Sequence, residues 1–456
     1  MQKILLKTEF RRAPLQFITG WHLVLARCRF LLRGLMYAVQ RRRYPLFRFS
    51  AKQGGLLYTI GIVRGLKWKK QVRFNGVFFS SLILPHFPSP VYDRMVANGG
   101  LNVGAAGTTL RRHIDTVILA ITRRCPLRCS HCYEQHNLSS TESVSINRWK
   151  EAIVQIQQFG AGIIVLSGGE PLSRYQEILK LLATGDKGKS DFHLHTSGQG
   201  VTHAKACALR DAGLIAAAVG LDDVDEERHD TLRRCAGAQR EAISALRVFH
   251  NAGVLTYVNL CLSRNIIRTG DLWRYFELVK DLNVAFIQML EPRPCGGYLN
   301  ADDNVSLTEE DRNIATEFFL IANTSKQYRN YPVVHYVAYA ESPRQLGCRM
   351  AGLSHLYVDS MGNVNPCVFL PVSFGNIFEE NFSAIYGRMR QIISRPIRSD
   401  CPSLLLADNL RNHVRSGNRL PVPINLIKEE WNIKLGKDQL KHVYSDQVLR
   451  SYNKPI

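Results

Sequence analysis

The chain has 456 residues, 45% hydrophobic and 21% charged, with a net charge of +21. This composition excludes a disordered or low-complexity chain, and the length suggests roughly two or three domains. No stretch reaches ~18 uncharged apolar residues, which argues against a helix spanning a bilayer. The apolar stretches near the N-terminus carry arginines throughout, so no secretory signal is expected there. Eleven cysteines in a chain of this kind point to metal or redox chemistry in a reducing, cytoplasmic setting.

The charge is unevenly placed. Residues 1–80 hold 17 Lys and Arg against the single acid Glu9. Within them, 15–43 predicts a helix with Trp21, Val24, Leu25, Cys28, Leu31, Leu32, Leu35 and Val39 on one broad face. Arg27, Arg29 and Arg33 fall outside that face, and Arg41, Arg42 and Arg43 close the run. This pattern suits a peripheral contact with a membrane surface. Packing against the rest of the fold is the alternative, as is a basic surface for an acidic peptide. Recognition of nucleic acid is the weakest reading, because stacking aromatics are few.

From residue 115 short apolar runs alternate with helical patterns. Strands are predicted at 115–122, 163–166, 192–196, 214–221, 255–262 and 284–290. Helices are predicted at 145–159, 175–182, 203–212, 239–251 and 272–281. Six such units imply an α/β fold, a partial (β/α)6 TIM-like barrel with a parallel sheet. Active-site residues of such barrels sit on the loops after the strands. A helix is expected at 309–323, then a β-hairpin formed by 355–359 and 364–369 about a turn at 360–363. The expected organisation is a basic N-terminal region at 1–110, the barrel at 111–298, a helical connection at 299–345, a small cysteine-bearing hairpin and helix extension at 346–404, and a tail at 405–456.

Three groups of residues carry chemistry. Cys125, Cys129 and Cys132 form Cys-x3-Cys-x2-Cys just after the first barrel strand. Three thiolates can hold three irons of a four-iron cluster and leave the fourth open to a reacting ligand. Half of a zinc site is the alternative, but no second cysteine pair lies within thirty residues. Ser167-Gly168-Gly169-Glu170-Pro171 follows the second strand. Its glycines let a ligand approach the backbone, and its carboxylate can take an amino group. Cys348, Cys367 and Cys401 form a later group, with Cys367 delivered by a tight turn at Gly362. Cys28, Cys207, Cys235 and Cys261 lack partners at ligand spacing and read as core or incidental. His193 and His195 read as satisfied core histidines.

The trio and Gly-Gly-Glu-Pro resemble the radical S-adenosylmethionine (radical SAM) superfamily over roughly residues 112–295. The resemblance implies a [4Fe-4S] cluster on Cys125, Cys129 and Cys132. It implies that Gly168, Gly169, Glu170 and Pro171 bind the methionine end of S-adenosylmethionine, and that Ser197, Asp222 and Arg233 also contact it. Thr196-Ser197-Gly198 resembles the family's Thr-Asn-Gly turn, Gly220-Leu221-Asp222 the strand end at the ribose, and His229-Asp230-Thr231-Leu232-Arg233 its His-Asp-x-x-Arg stretch. Two positions depart from the pattern. His131 stands where Phe, Tyr or Trp is usual, though its ring can still lie beside the adenine. Arg234 stands where glycine is common. The later group resembles the twitch extension, a shortened relative of the SPASM domain, and implies one auxiliary [4Fe-4S] cluster on Cys348, Cys367 and Cys401. A fourth ligand is not evident, with Cys295 a candidate by its nearness to the barrel end.

The resemblance implies an enzyme that cleaves S-adenosylmethionine reductively to a 5′-deoxyadenosyl radical, which takes hydrogen from a substrate. A ribosomally made peptide is the expected substrate, although no leader-binding domain is evident in residues 1–110. A membrane lipid or isoprenoid is the alternative. A ferredoxin or flavodoxin is the expected electron donor. The rival from another class is a non-catalytic iron–sulfur or zinc protein. The sequence identifies no acid, base or nucleophile for catalysis.

Overall fold

The structure is a computed structural model. It describes residues 15–40, 70–98, 100, 113–301, 305–343, 345, 347–349 and 351–435. The arginine run 41–43 and the ends of the expected N-terminal and C-terminal regions lie outside the described residues.

An N-terminal cap comes first. It comprises β1 (Gln16–Ile18), α1 (Gly20–Gln40), β2 (Gln71–Phe74), β3 (Val77–Phe79) and α2 (Pro90–Ala97). The three strands form an antiparallel sheet in the order β1-β2-β3. The barrel units follow as β4 (Ile114–Ala120), α3 (Ile146–Phe159), β5 (Ala161–Ser167), α4 (Tyr175–Thr184), β6 (Asp191–Thr196), α5 (His203–Asp211) and β7 (Leu214–Gly220). Next come α6 (Glu226–Arg233), α7 (Ala238–Asn251), β8 (Leu255–Cys261), α8 (Arg264–Arg268), α9 (Asp271–Asp281) and β9 (Phe286–Leu290). The six expected strands are therefore β4 to β9, in sequence order in one sheet and all parallel.

Two more parallel strands flank these six. After α10 (Glu309–Thr324), β10 (Val333–Tyr336) pairs with β9. The stretch expected to be a helical connection thus supplies a strand. At the other edge, β11 (His355–Val358) pairs in parallel with β4, and β12 (Val364–Asn365) pairs antiparallel with β11. The predicted hairpin exists, but its first strand belongs to the barrel sheet. Helix α10 starts at a capping box in which Thr308 and Asp311 satisfy each other's backbone N–H groups.

Outward residues of the strands pack under the helices in a continuous apolar core that includes Val117, Leu166, Phe192, Val219, Val258 and Ile287. The inward faces differ. Near the N-terminal ends of the strands, Ala216, Ala218, Leu255, Tyr257 and Phe286 pack against Val72, Phe74, Phe79 and Leu82 of the cap. The small alanines leave room for this plug. Other cap contacts reach the same end: Asn75 donates to Gly253 O at 2.9 Å and His86 Nδ1 lies 2.9 Å from Asp191. The cap therefore closes the barrel at the end opposite the strand C-termini.

Lys70 fastens the cap. Its buried ammonium donates to the carbonyls of Ala322, Tyr328, Tyr331 and Pro332 at 2.9–3.1 Å. Four backbone acceptors would lose their donor in Lys70→Met. That variant should lose roughly 2–3 kcal/mol of stability. Thermal unfolding should show it as a midpoint several degrees lower, with Lys70→Arg intermediate.

Candidate functional site

The site lies at the C-terminal ends of the strands. The loop after β4 carries the cysteine trio, and its backbone is held from three sides. Gly169 N–H donates to Thr122 O at 2.9 Å, and Glu170 N–H to Arg124 O at 2.7 Å. Ser130 N–H donates to Leu232 O at 2.9 Å, and Gly297 N–H to Cys132 O at 2.9 Å. These contacts leave no room for side chains. A Cβ at Gly169 would meet Arg124 O at 2.3 Å, and one at Gly297 would meet Ser130 O at 2.1 Å. Gly168 has φ +126°, which other residues rarely adopt. The Gly-Gly pair is thus required first by the cysteine loop lying on it.

Glu170 is engaged by the turn after β6. Its buried carboxylate accepts from Thr196 Oγ1 at 2.6 Å, Leu172 N–H at 2.9 Å, Ser197 N–H at 2.7 Å and Ser197 Oγ at 2.6 Å. It holds the turn after β6 in place. Gly168, Gly169, Thr196 and Ser197 line the central cavity, whereas Glu170 and Pro171 do not.

Asp222 and Arg233 form the electrostatic centre. Arg233 Nε donates to Asp222 Oδ2 at 2.7 Å, and Cys261 N–H donates to Oδ1 at 3.0 Å. Burial alone would raise the Asp222 carboxyl, but the Arg233 guanidinium holds it at about 2. Arg233 also donates to the Cys129 thiol. Gly220 makes this fit, since a Cβ there would meet Arg233 Nη2 at 2.2 Å. Helix α6, which carries Arg233, is polar and was not predicted. It starts at the Asp225 cap and ends at Arg234, whose φ of +52° is left-handed. That conformation explains the preference for glycine at this position.

His131 Nε2 lies 3.8 Å from Asp222 Oδ2. Burial lowers its pKa to about 4, so the ring is neutral. Its Nδ1 is buried with no hydrogen-bond partner. The three thiols of the trio are raised by burial, Cys125 to about 11 and Cys132 to about 12. A bound cation is what would hold all three as thiolates. Among the described residues no three His, Cys, Asp or Glu side chains converge as a single ion requires. A cubane asks less, because each thiolate binds a different iron. The orphaned imidazole nitrogen, the thiols and the glycine-floored loop fit a cluster with a ligand beside it.

The later cysteines reach the same place. Cys348, Cys367 and Cys401 line the cavity of about 320 Å3 that the trio lines. Cys295, buried after β9, lines it too. Burial raises its thiol, and the thiols of Cys367 and Cys401 raise it further, ahead of those of Cys132 and Cys261. Cys295 thus stands near thiols of both groups. Cys261, read as incidental, also lines the cavity. Asn259, Gln288 and Arg293 join it from β8, β9 and the loop after β9, and sequence motifs did not single them out. Their positions at or beyond strand ends were the available signal. His193 is buried and satisfied as expected, 3.4 Å from the Tyr257 hydroxyl at Nδ1, whereas His195, whose Nε2 lies 3.0 Å from the same hydroxyl, lines the cavity rather than the core.

A family model described as the radical SAM superfamily matches residues 119–277, and one described as an iron–sulfur cluster-binding domain, SPASM, matches 348–403. The chain is a radical SAM enzyme. Its cofactors are [4Fe-4S] clusters and S-adenosylmethionine. An AdoMet-dependent heme synthase from Methanosarcina barkeri is 27% identical over 289 residues, covering 58% of this chain and 80% of that protein. A PqqA peptide cyclase from Rhizobium meliloti is 26% identical over 281 residues, covering 59% and 72%. Streptococcus suis SuiB, solved with its precursor peptide SuiA, superposes with a TM-score of 0.52 at 15% identity, covering 66% and 74%, and shows the shared fold. No described helix of this radical SAM enzyme is long and apolar enough to cross a membrane.

Two substitutions test the local geometry. Arg234→Gly relieves the left-handed cap and should stabilise the protein by about 0.5–1 kcal/mol, read as a small rise in unfolding temperature. Glu170→Gln weakens the grip on Ser197 and should reduce S-adenosylmethionine affinity by roughly tenfold while leaving iron content unchanged.

Proposed function

We propose that Cys125, Cys129 and Cys132 hold the cluster that binds S-adenosylmethionine, and that Cys348, Cys367 and Cys401, joined by Cys295, hold an auxiliary cluster. The observation that carries this is the single cavity lined by both cysteine groups and by strand ends β5 to β9. When bound, the cluster and S-adenosylmethionine supply a 5′-deoxyadenosyl radical able to take hydrogen from an unactivated carbon. The chain's own residues do the positioning. His131 offers its unpartnered Nδ1 and its ring face, and Asp222, fixed by Arg233, stands beside it as an acceptor. Ser197 is held by Glu170, and Gly168 and Gly169 give the ligand access to backbone. Glu170 and Pro171 act through that turn.

The substrate we propose is a peptide. The names of relatives that act on PqqA and bind SuiA support this class. The cavity lining also includes Asn259, Gln288 and His195, which can hydrogen-bond a peptide. A ferredoxin or flavodoxin as electron donor and a cytoplasmic location belong to the same reading. The same reading divides the chain at the barrel, 111–298, and the auxiliary segment, 346–404.

Anaerobic reconstitution tests the assignment. The wild-type chain should bind about eight irons, from two four-iron clusters. Replacing Cys125, Cys129 and Cys132 by Ala should abolish formation of 5′-deoxyadenosine. Cys295→Ala or Cys348→Ala should halve the iron and spare most of that cleavage. Tight zinc with no cleavage by the wild-type protein would favour the non-catalytic rival.

A further inference from the structure

Helix α1 packs with the face opposite its most apolar one. Leu23 and Ala26 are buried, and Phe30 sits against Phe87 and Tyr92 with ring centroids 5.6 and 4.4 Å away. Tyr92 donates to Phe30 O at 2.7 Å, and Arg33 pairs with Asp93 at 2.7 Å. These contacts bind α1 to α2 and leave Trp21, Val24, Leu25 and Leu32 of the expected apolar stripe outside. Trp21 is 80% exposed, Leu32 57%, Leu25 55% and Val24 46%. Cys28 between them is exposed as well. Four of the nine large hydrophobic side chains exposed among the described residues thus fall on one face of one helix. Chance scatter of exposed apolar residues does not give such a stripe.

At 100° per residue, Arg29 projects on one flank of the stripe and Arg27 on the other. Arg29 is exposed and Arg27 half-buried. In sequence the helix is preceded by Lys3, Lys7, Arg11 and Arg12 and followed by Arg41, Arg42 and Arg43. An apolar stripe bordered by cations and set in a strongly basic segment complements a surface that is apolar below and anionic above.

We propose that the exposed face of α1 docks the enzyme on an anionic lipid surface, with Trp21, Val24, Leu25 and Leu32 in the acyl boundary and Arg29 at the head groups. The placement has a further meaning. Helix α1 belongs to the cap that closes the N-terminal end of the barrel, whereas the cavity lies at the C-terminal end of the strands. Docking would therefore hold the enzyme at the membrane with its site turned towards water. It is an anchor for an enzyme whose substrate arrives from solution, and it speaks against a lipid drawn from that bilayer as the substrate. The inference stands apart from the assignment of the cysteines and of the peptide.

Flotation of the full-length protein with vesicles tests it. Binding is expected to vesicles of phosphatidylcholine with 30% phosphatidylglycerol. It should be at least about tenfold weaker with pure phosphatidylcholine and should fall in high salt. Replacing Trp21, Leu25 and Leu32 together by Ser should weaken binding by about tenfold or more without lowering the unfolding temperature, since the three are exposed. Arg29→Glu should weaken binding to the anionic vesicles and keep the fold. Failure of the wild-type protein to float with anionic vesicles would overturn the proposal. Equal flotation of the triple variant would do so too. Sedimentation showing a dimer that the triple variant dissolves, with no vesicle binding, would assign the face to a second copy instead.

Discussion

A carboxylate buried at a strand end needs a partner to stay charged, and Asp222 has one in Arg233. This ion pair joins parts far apart in the chain. Asp222 lies two residues past β7 and accepts from the backbone N–H of Cys261, the last residue of β8. Arg233 comes from the last turn of α6 and reaches the Cys129 thiol. His131 leans on the same carboxylate. Removal of either charge would leave the other stranded in a low-dielectric cavity, a loss of about 3–5 kcal/mol for a buried pair. The cysteine loop, the His131 imidazole and two barrel strands therefore share one electrostatic support.

The second support is backbone. Strand β11 lies in register with β4, from His355 beside Thr116 to Val358 beside Leu119. One strand runs on into the loop of the trio and the other into the hairpin that delivers Cys367. Their side chains meet as well: Tyr357 and Ser360 donate to the buried carboxyl of Glu134, two residues past Cys132. The separation of the two cysteine groups is thus set by a hydrogen-bonded ladder and a buried polar contact. Cys295, in the loop after β9, lines the same cavity.

Much of this was legible in the residues. The six strands β4 to β9 announce themselves as short apolar runs between amphipathic helices, because both faces of a parallel sheet are buried. The trio and its position after the first strand follow from spacing alone. What stayed hidden has physical reasons. Strand β10 is four residues long, and β11 looks like any hairpin strand until its pairing with β4 is known, which is a non-local fact. Helix α6 has no apolar stripe, so periodicity passes over it. The carboxylate of Glu170 could turn towards a ligand or towards the Thr196–Ser197 turn, and only the fold decides. In α1 periodicity found the face that carries Trp21, Val24, Leu25 and Leu32, although the predicted helix over 15–43 begins only at Gly20, after the strand β1. It could not say that Leu23, Ala26 and Phe30 would do the packing instead.

The shared sheet bears on how the auxiliary segment can be treated. It is a module by sequence match, yet it is not detachable. Cutting it away would strip β4 of its β11 neighbour and bare a row of unpaired amide and carbonyl groups directly beneath the trio. An uncovered edge of that kind invites pairing with other chains. Truncated forms would report on sheet integrity and aggregation, whereas single cysteine changes leave the ladder whole and report on the cluster. The barrel and its extension have to be inherited, exchanged or redesigned together.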